Sequence, residues 1–257
     1  MTFVNGKTFT VSFDIDKKVE HPFGYVEVYL RYNGEKSPYK AVVKDGKLMA
    51  IVKRGYKLIP HELVEKHMLS VEGLRVVNKE DYGSRVYWEV EVENDKEVKL
   101  MVINSVDGSH ALMVQTIFVV DDVKILVPRV KSKKVASEIK KVHKKSAKVE
   151  ELSTVIRETL KASKGIKDMV FKAFDQPAAG FKDVWDMVVE LIPEKYTRMV
   201  MARLYGAKEP LTVGDVYKEM MRKIWASDTD MRTKLTFINH MNDALWIIAD
   251  AVGVVDE

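Results

Sequence analysis

The first half of the chain alternates hydrophobic and polar residues with a period of two, which is typical of half-buried β-strands. The alternation is clearest over residues 25–32, 85–93, 97–105 and 110–120. These runs, and shorter ones at 40–43 and 47–53, are separated by the turn dipeptides Asn33-Gly34, Asp45-Gly46, Asn94-Asp95 and Asp107-Gly108. Such dipeptides favour tight hairpins. We therefore predict two hairpins, a short helix over 61–70, and a three-stranded antiparallel meander that ends near residue 120.

After Pro128 the hydrophobic period changes to 3.6, which indicates helices. One apolar stripe on a long helix, Ser132–Ala162, would contain Val135, Ile139, Val142, Val149, Leu152, Ile156 and Leu160. We expect Gly165 to end or interrupt this helix and a brief helical piece to follow over 166–174. Four more helices are predicted over 178–192, 193–205, 212–226 and 228–252, and Thr212 and Asp215 have the spacing of a capping box.

These patterns predict the α+β class. The expected order is an N-terminal antiparallel β-meander sheet, a long basic amphipathic helix and a C-terminal helical bundle. We divide the chain into a β-rich domain with the long helix, residues 1–165, and a helical domain, residues 166–257. The hydrophobic helices of the second domain could also build a homo-oligomer interface.

Charge is concentrated in one stretch, Lys124–Lys148, which we call the basic segment. It has ten Lys or Arg residues and one acid, Glu138. The segment contributes +9 to a chain whose total is only +4, so the other residues together carry more acid than base. Such an asymmetry indicates a polyanionic partner, and nucleic acid is the commonest one. A merely solvated lysine face is the alternative, but like charges at helical spacing repel.

Composition excludes several classes of protein. The chain has no cysteine, which removes disulfides, thiolate nucleophiles and cysteine metal sites. We identify neither a signal peptide nor an apolar run long enough to span a bilayer. We therefore expect a cytoplasmic protein without membrane contact. The high content of Lys and Glu fits a thermostable protein.

Motifs for catalysis are missing from the sequence. We find no nucleophile elbow, P-loop or Gly-rich dinucleotide fingerprint. The histidines His61, His67, His110 and His143 match no metal-binding spacing. We therefore expect no enzyme activity, no metal and no cofactor, although an enzyme with a dispersed site stays possible.

Aromatic residues in and beside the strands offer platforms on which unpaired bases can stack. The candidates are Tyr32, Tyr82, Tyr87 and Trp88. Alternation places Tyr87 and Trp88 on opposite faces of the meander, so at most one of them faces outward. The alternative interpretation is that about half of the aromatic side chains point inward and the others lie on the sheet surface without a ligand.

Two resemblances add to this interpretation. Gly55-Tyr56-Lys57-Leu58-Ile59-Pro60-His61-Glu62 and Asn104-Ser105-Val106-Asp107-Gly108-Ser109 resemble motifs of an uncharacterised phage- and plasmid-like domain family. The chain departs from that family at His61 and Val106 and lacks the Cys-Asn pair expected after His110. A meander followed by a long basic helix is also similar to the core of Rad52-type and phage single-strand annealing proteins. The first resemblance implies a mobile-element origin, and the second implies binding of single-stranded DNA.

The resulting hypothesis is a non-catalytic, sequence-nonspecific single-stranded DNA-binding protein of a virus or plasmid, active in recombination or replication. DNA is favoured over RNA, and strand annealing is possible. Tyr87 or Trp88, together with Tyr82 or Tyr32, would stack bases. The phosphates would contact Arg129, Lys131, Lys133, Lys134, Lys140, Lys141, Lys144, Lys145 and Lys148. The alternative is an anti-restriction or regulatory protein whose basic face binds an acidic protein.

Overall fold

The computed structural model describes residues 2–4, 7–9, 12–93, 95–110, 112–127, 138–141, 149–206 and 210–252. The fold is α+β, as predicted. A small hairpin pairs β1 (Thr2–Val4) with β2 (Lys7–Phe9). The first sheet is antiparallel and contains, in order, β3 (Asp14–Glu20), β4 (Tyr25–Tyr32), β5 (Glu35–Lys44) and β6 (Lys47–Lys53).

A second antiparallel sheet follows the short helix α1 (His61–Leu69). Its strands are β7 (Leu74–Asp81), β8 (Arg85–Val92), β9 (Asp95–Ser105), β10 (Leu112–Val120) and β11 (Val123–Leu126), paired in chain order. A further strand, β12 (Glu138–Lys141), pairs with the first half of β10. The predicted meander is thus confirmed as β8, β9 and β10.

The predicted hairpins of the first sheet are confirmed, and their turns have the backbone that the sequence requires. Asn33 and Gly34 have φ of 51° and 77°, and Asp45 and Gly46 have φ of 48° and 78°. Two successive residues with positive φ form the turn whose twist matches that of the flanking strands. Gly tolerates this conformation because it has no Cβ, and Asn and Asp tolerate it better than most residues.

The C-terminal part contains α2 (Leu152–Phe174), α3 (Lys182–Leu191), α4 (Glu194–Gly206), α5 (Val213–Ala226) and α6 (Met231–Ala251). The four helices after α2 match the predictions closely. The capping box of α5 is present, because Thr212 Oγ1 accepts from the Asp215 N–H and the Asp215 carboxylate accepts from the Thr212 N–H. No helix among the residues described has the length and hydropathy that a bilayer crossing requires.

The long helix differs from the prediction in its position. We predicted a helix over Ser132–Ala162, but residues 138–141 form β12 and the helix begins at Leu152. The first half of β10 would otherwise be an open edge with unpaired backbone groups, and β12 satisfies them. Gly165 neither ends nor interrupts α2, since the helix continues to Phe174. The second half of the predicted apolar stripe is buried at Val149, Leu152 and Ile156.

Helices cover both faces of the second sheet. On one face Trp88, Val102 and Val114 pack with α1 and the start of α2. On the other face Tyr87, Ile103 and Met113 share a hydrophobic cluster with α3, α4, α5 and α6. The boundary predicted at residues 165 and 166 falls inside α2, and Leu160 of this helix touches both clusters. The sheet and the C-terminal helices therefore share one core.

Candidate nucleic-acid interface

The structure describes only two parts of the basic segment. Residues 124–127 include the end of β11, and residues 138–141 form β12. Lys140 and Lys141 thus lie in a strand rather than on a helix, and the lysine face predicted for a helix is wrong at these positions. The other predicted phosphate-binding residues lie outside the described part of the chain: Arg129, Lys131, Lys133, Lys134, Lys144, Lys145 and Lys148.

Lys124, the first cation of the segment, has a structural role. Its Nζ lies 2.5 Å from the carboxylate of Glu89, which is 5% exposed, and Lys99 approaches the same carboxylate at 3.0 Å. The Lys124 carbonyl also accepts from the indole N–H of Trp225 on α5 at 2.8 Å. These contacts fix the start of the basic segment to the sheet and to the helical layer.

One row of paired residues crosses the second sheet to the basic segment. From β8 to β12 the row is Tyr87, Ile103, Met113 and Lys140. Neighbouring strands lie about 4.8 Å apart, so the backbones of Tyr87 and Lys140 are separated by about 14 Å. The surroundings of Tyr87 and the anchored part of the segment therefore lie at the same level of the sheet.

Two of the predicted stacking residues are buried. Tyr87 is 2% exposed and Trp88 is fully buried. They lie on opposite faces, as alternation predicts, but helices cover both faces. The hypothesis that Tyr87 or Trp88 stacks an unpaired base on the surface is therefore wrong.

The other two candidate aromatics are exposed. Tyr82, between β7 and β8, is 49% exposed, and Tyr32, at the end of β4, is 46% exposed. The Tyr82 ring meets the Tyr87 ring edge-on at 5.9 Å, whereas Tyr32 contacts Phe13 in the first sheet at 5.6 Å. Tyr82 and Tyr32 thus belong to different sheets.

Polar residues that the sequence analysis did not select surround Tyr82 and Tyr87. Arg85 Nε donates to Asp107 at 3.1 Å, and Ser84 Oγ donates to the same carboxylate at 2.8 Å. Burial alone would raise the pKa of Asp107, but hydrogen bonds from Ser109, Ser84 and Arg85 outweigh it and lower the pKa to about 2. This carboxylate is therefore ionised at neutral pH.

Arg232, at the start of α6, approaches the same region from the helical layer. Burial lowers the pKa of His110, and the positive charges of Arg85 and Arg232 lower it further. Arg85 and Arg232 also line the same cavity, so the two arginines belong to one site. No local signal connects two arginines so far apart in the sequence, and only an alignment or a structure brings them together.

The histidines in the described ranges do not come together in a metal site. His61 is buried and hydrogen-bonded, with Nδ1 2.9 Å from the Asn104 amide and Nε2 3.1 Å from the Gly83 carbonyl. Burial lowers its pKa, which favours the neutral ring. Within the described ranges, no group of three or more His, Cys, Asp or Glu residues could hold a metal ion.

The fold and this arrangement define an α+β protein with a basic segment anchored at the edge of its second sheet. No family model, curated protein or solved structure matches the chain. The two resemblances found in the sequence therefore stay hypotheses.

Proposed function

We propose that this chain binds single-stranded nucleic acid through the basic segment, with DNA favoured over RNA and without catalysis. The observation that carries the proposal is the charge distribution: ten basic residues and one acid in a segment of a chain that is otherwise slightly acidic. Binding phosphates would neutralise this charge and release counterions from the nucleic acid, which favours association.

The anchoring of the segment supports the proposal. Lys124 is fixed through Glu89, and β12 is paired with β10, so the segment is tied to the sheet at its start and near its middle. Both anchored parts lie beside β10 at one edge of the second sheet, so a phosphate backbone that follows this edge can meet the segment.

Exposed aromatic surface is the second support. The half-exposed ring of Tyr82 contacts Tyr87 edge-on at 5.9 Å, and Tyr87 is in the row of paired residues that ends at Lys140. Stacking an unpaired base contributes about 1–3 kcal/mol. Stacking does not depend on base identity, so the proposed binding has little sequence preference. A role in recombination or replication of a mobile element, in the cytoplasm, belongs to the same proposal.

The test is a fluorescence-anisotropy titration of a labelled single-stranded oligonucleotide at several salt concentrations. For single strands, log affinity should fall with log salt by about 0.7 for each phosphate contacted. The variant Lys133→Gln/Lys134→Gln/Lys144→Gln/Lys145→Gln removes four cations and leaves β12 intact. If each lysine contacts one phosphate, the slope should become less steep by about 2.8.

A matched control separates local contacts from net charge. Lys18, Lys36, Lys47 and Lys53 are exposed on the first sheet, and replacing all four with Gln changes the charge of the chain by the same amount. We expect this control to keep almost the wild-type salt slope. Equal slopes for the two quadruple variants would reject the basic segment as the binding site.

Two comparisons define the ligand class. Matched single-stranded, double-stranded and RNA oligonucleotides should bind in the order single-stranded DNA, RNA, duplex. If no oligonucleotide binds at moderate salt, the proposal fails and an acidic protein partner becomes the better explanation.

A further inference from the structure

A polar cavity of about 600 Å³ opens between the second sheet and the first turn of α6. The sheet contributes Tyr82, Ser84, Arg85 and Tyr87, and α6 contributes Arg232 and Thr236. The volume is in the range of small-molecule sites, which usually occupy about 300–1,000 Å³.

The side chain of Tyr87 contributes an unpaired polar group to this cavity. Tyr87 is 2% exposed and lines the cavity, and among the described residues its hydroxyl has no hydrogen-bond partner. Buried polar groups are almost always paired, so an orphaned one calls for an explanation. Burial raises the pKa of Tyr87 to about 12, and the group therefore stays protonated and can donate a hydrogen bond.

Two carboxylates lie at or beside the cavity: Asp230 lines it, and Asp107 is hydrogen-bonded to Arg85 beside it. Asp107 accepts hydrogen bonds from Ser84, Ser109 and the Nε of Arg85. Asp230 accepts from the N–H and hydroxyl of Thr233. Both carboxylates are thus engaged with protein donors, which leaves the arginine side chains as the groups that can bind a ligand.

The terminal nitrogens of Arg85 and the guanidinium of Arg232 form no ion pair with an acidic residue among the described residues, although hydrogen bonds from Thr233 and, after them, the positive charge of Arg232 lower the pKa of Asp230. Since Asp107 and Asp230 offset two charges in or beside the cavity, the guanidinium groups suit a ligand of low negative charge. A phosphodiester within a strand carries one negative charge, and the terminal phosphate of a mononucleotide carries about 1.5 to 2.

We propose that this cavity holds one nucleotide unit of a bound single strand. Arg85 and Arg232 bind the phosphate of this nucleotide, and the Tyr87 hydroxyl donates a hydrogen bond to the same phosphate inside the cavity. The base of the nucleotide stacks on the exposed ring of Tyr82 at the mouth of the cavity. This inference rests on the proposed function, because it takes the nucleotide to be part of a bound single strand. The backbones of Tyr87 and Lys140 lie about 14 Å apart across the sheet. Because the helical layer covers Ile103 and Met113 between them, a strand that contacts both sites must pass around the end of the sheet.

The experiment is calorimetric titration of the full chain with thymidine 5′-monophosphate, with thymidine and with inorganic phosphate. We expect the monophosphate to bind more tightly than either fragment. Arg232→Gln should weaken its binding roughly 10- to 150-fold, and Tyr87→Phe roughly 2- to 12-fold. The control Arg198→Gln, which removes an exposed arginine of α4, should leave the affinity unchanged.

The stability of Tyr87→Phe without ligand separates binding from folding. Since the hydroxyl has no partner in the described protein, this variant should melt at the same temperature as the wild type or higher. A lower melting temperature would mean that the protein itself uses the hydroxyl, and this would overturn the assignment. Wild-type affinity for the monophosphate in Arg232→Gln, or equal affinity for inorganic phosphate alone, would overturn it as well.

Displacement tests the source of the nucleotide. A short single-stranded oligothymidylate should compete with the monophosphate, and failure to compete would reject a strand as the ligand. The quadruple lysine variant should still bind the monophosphate while losing affinity for long oligonucleotides. This pattern distinguishes a failure of the cavity from a failure of the basic segment.

Discussion

A buried ion pair joins Lys40 to Glu27 in the first sheet. The two side chains are 2% and 6% exposed, and the Lys40 Nζ lies 2.5 Å from a carboxylate oxygen of Glu27. The same ammonium donates to the Tyr56 carbonyl at 2.6 Å. Tyr25 and Val42 of this sheet pack with Leu58 and Val106, so the pair lies in the sheet that docks against the β9–β10 loop.

We predict that Lys40→Met strongly destabilises the protein. Methionine retains the apolar stem but not the charge. Among the described residues, Glu27 then stays buried with the Tyr29 hydroxyl at 3.0 Å and His21 at 3.3 Å as its side-chain partners. Removing one partner of a buried pair costs about 3–5 kcal/mol. For a chain of this size the melting temperature should fall by about 6–20 °C.

The measurement is urea unfolding followed by circular dichroism, with a thermal scan beside it. Lys36→Met is the matched control, because Lys36 is exposed on the same strand and should change stability by no more than about 0.5 kcal/mol. The double variant Glu27→Leu/Lys40→Met should recover most of the loss, since apolar residues often replace a buried pair at little cost. Solvent-exposed ion pairs contribute no more than about 1 kcal/mol. If Lys40→Met lowers the free energy of unfolding by less than this, the reasoning is refuted. A double variant as unstable as the single one would show that the stranded carboxylate is not the cause.

Three further predictions concern the rest of the fold. Thr212→Ala removes the capping box of α5 and should cost about 1 kcal/mol in urea unfolding, whereas Thr154→Ala, at an exposed position of α2, should cost nothing. At Gly214 a Cβ would lie 3.0 Å from the Phe174 Cβ, so Gly214→Val should cost about 1–3 kcal/mol by overpacking, whereas Gly180→Val, with open space around it, should cost less. Asp107 has a pKa of about 2, below its unfolded value of about 3.9, so it stabilises the fold above pH 4 and this contribution is lost as the pH falls toward 2. Asp107→Asn should therefore flatten the decline of unfolding free energy over that range; an unchanged decline would assign it to other carboxylates.

Sequence reasoning located most elements but missed six strands, and two of the misses have a common cause. Strand β7 shifts register between Val76 and Asn78, and β3 shifts between Ile15 and Lys17. A β-bulge adds a residue and breaks the period-two alternation, so neither strand has the pattern that identifies one. Strands β1, β2 and β11 have only three or four residues, too few for a clear period, and β12 lies where a helix was predicted.

Local chemistry determined the hairpins and the C-terminal helices. Asn33-Gly34 and Asp45-Gly46 accept positive φ wherever they occur, and a 3.6-residue hydrophobic period favours a helix before any partner is present. The charge of the basic segment was equally plain in the sequence. These features depend on neighbours within a few residues, so the sequence alone was sufficient to predict them.

Only the tertiary structure decided which surfaces are available. Glu138-Ile139-Lys140-Lys141 pairs with β10 because an edge there is open, and helices on both faces of the sheet bury Tyr87 and Trp88 alike. The cavity depends on Arg85 and Arg232 meeting across the interface between sheet and helix. Such contacts join residues that are distant in the chain. The packing that brings them together produces no hydrophobic period or local motif from which it could be predicted.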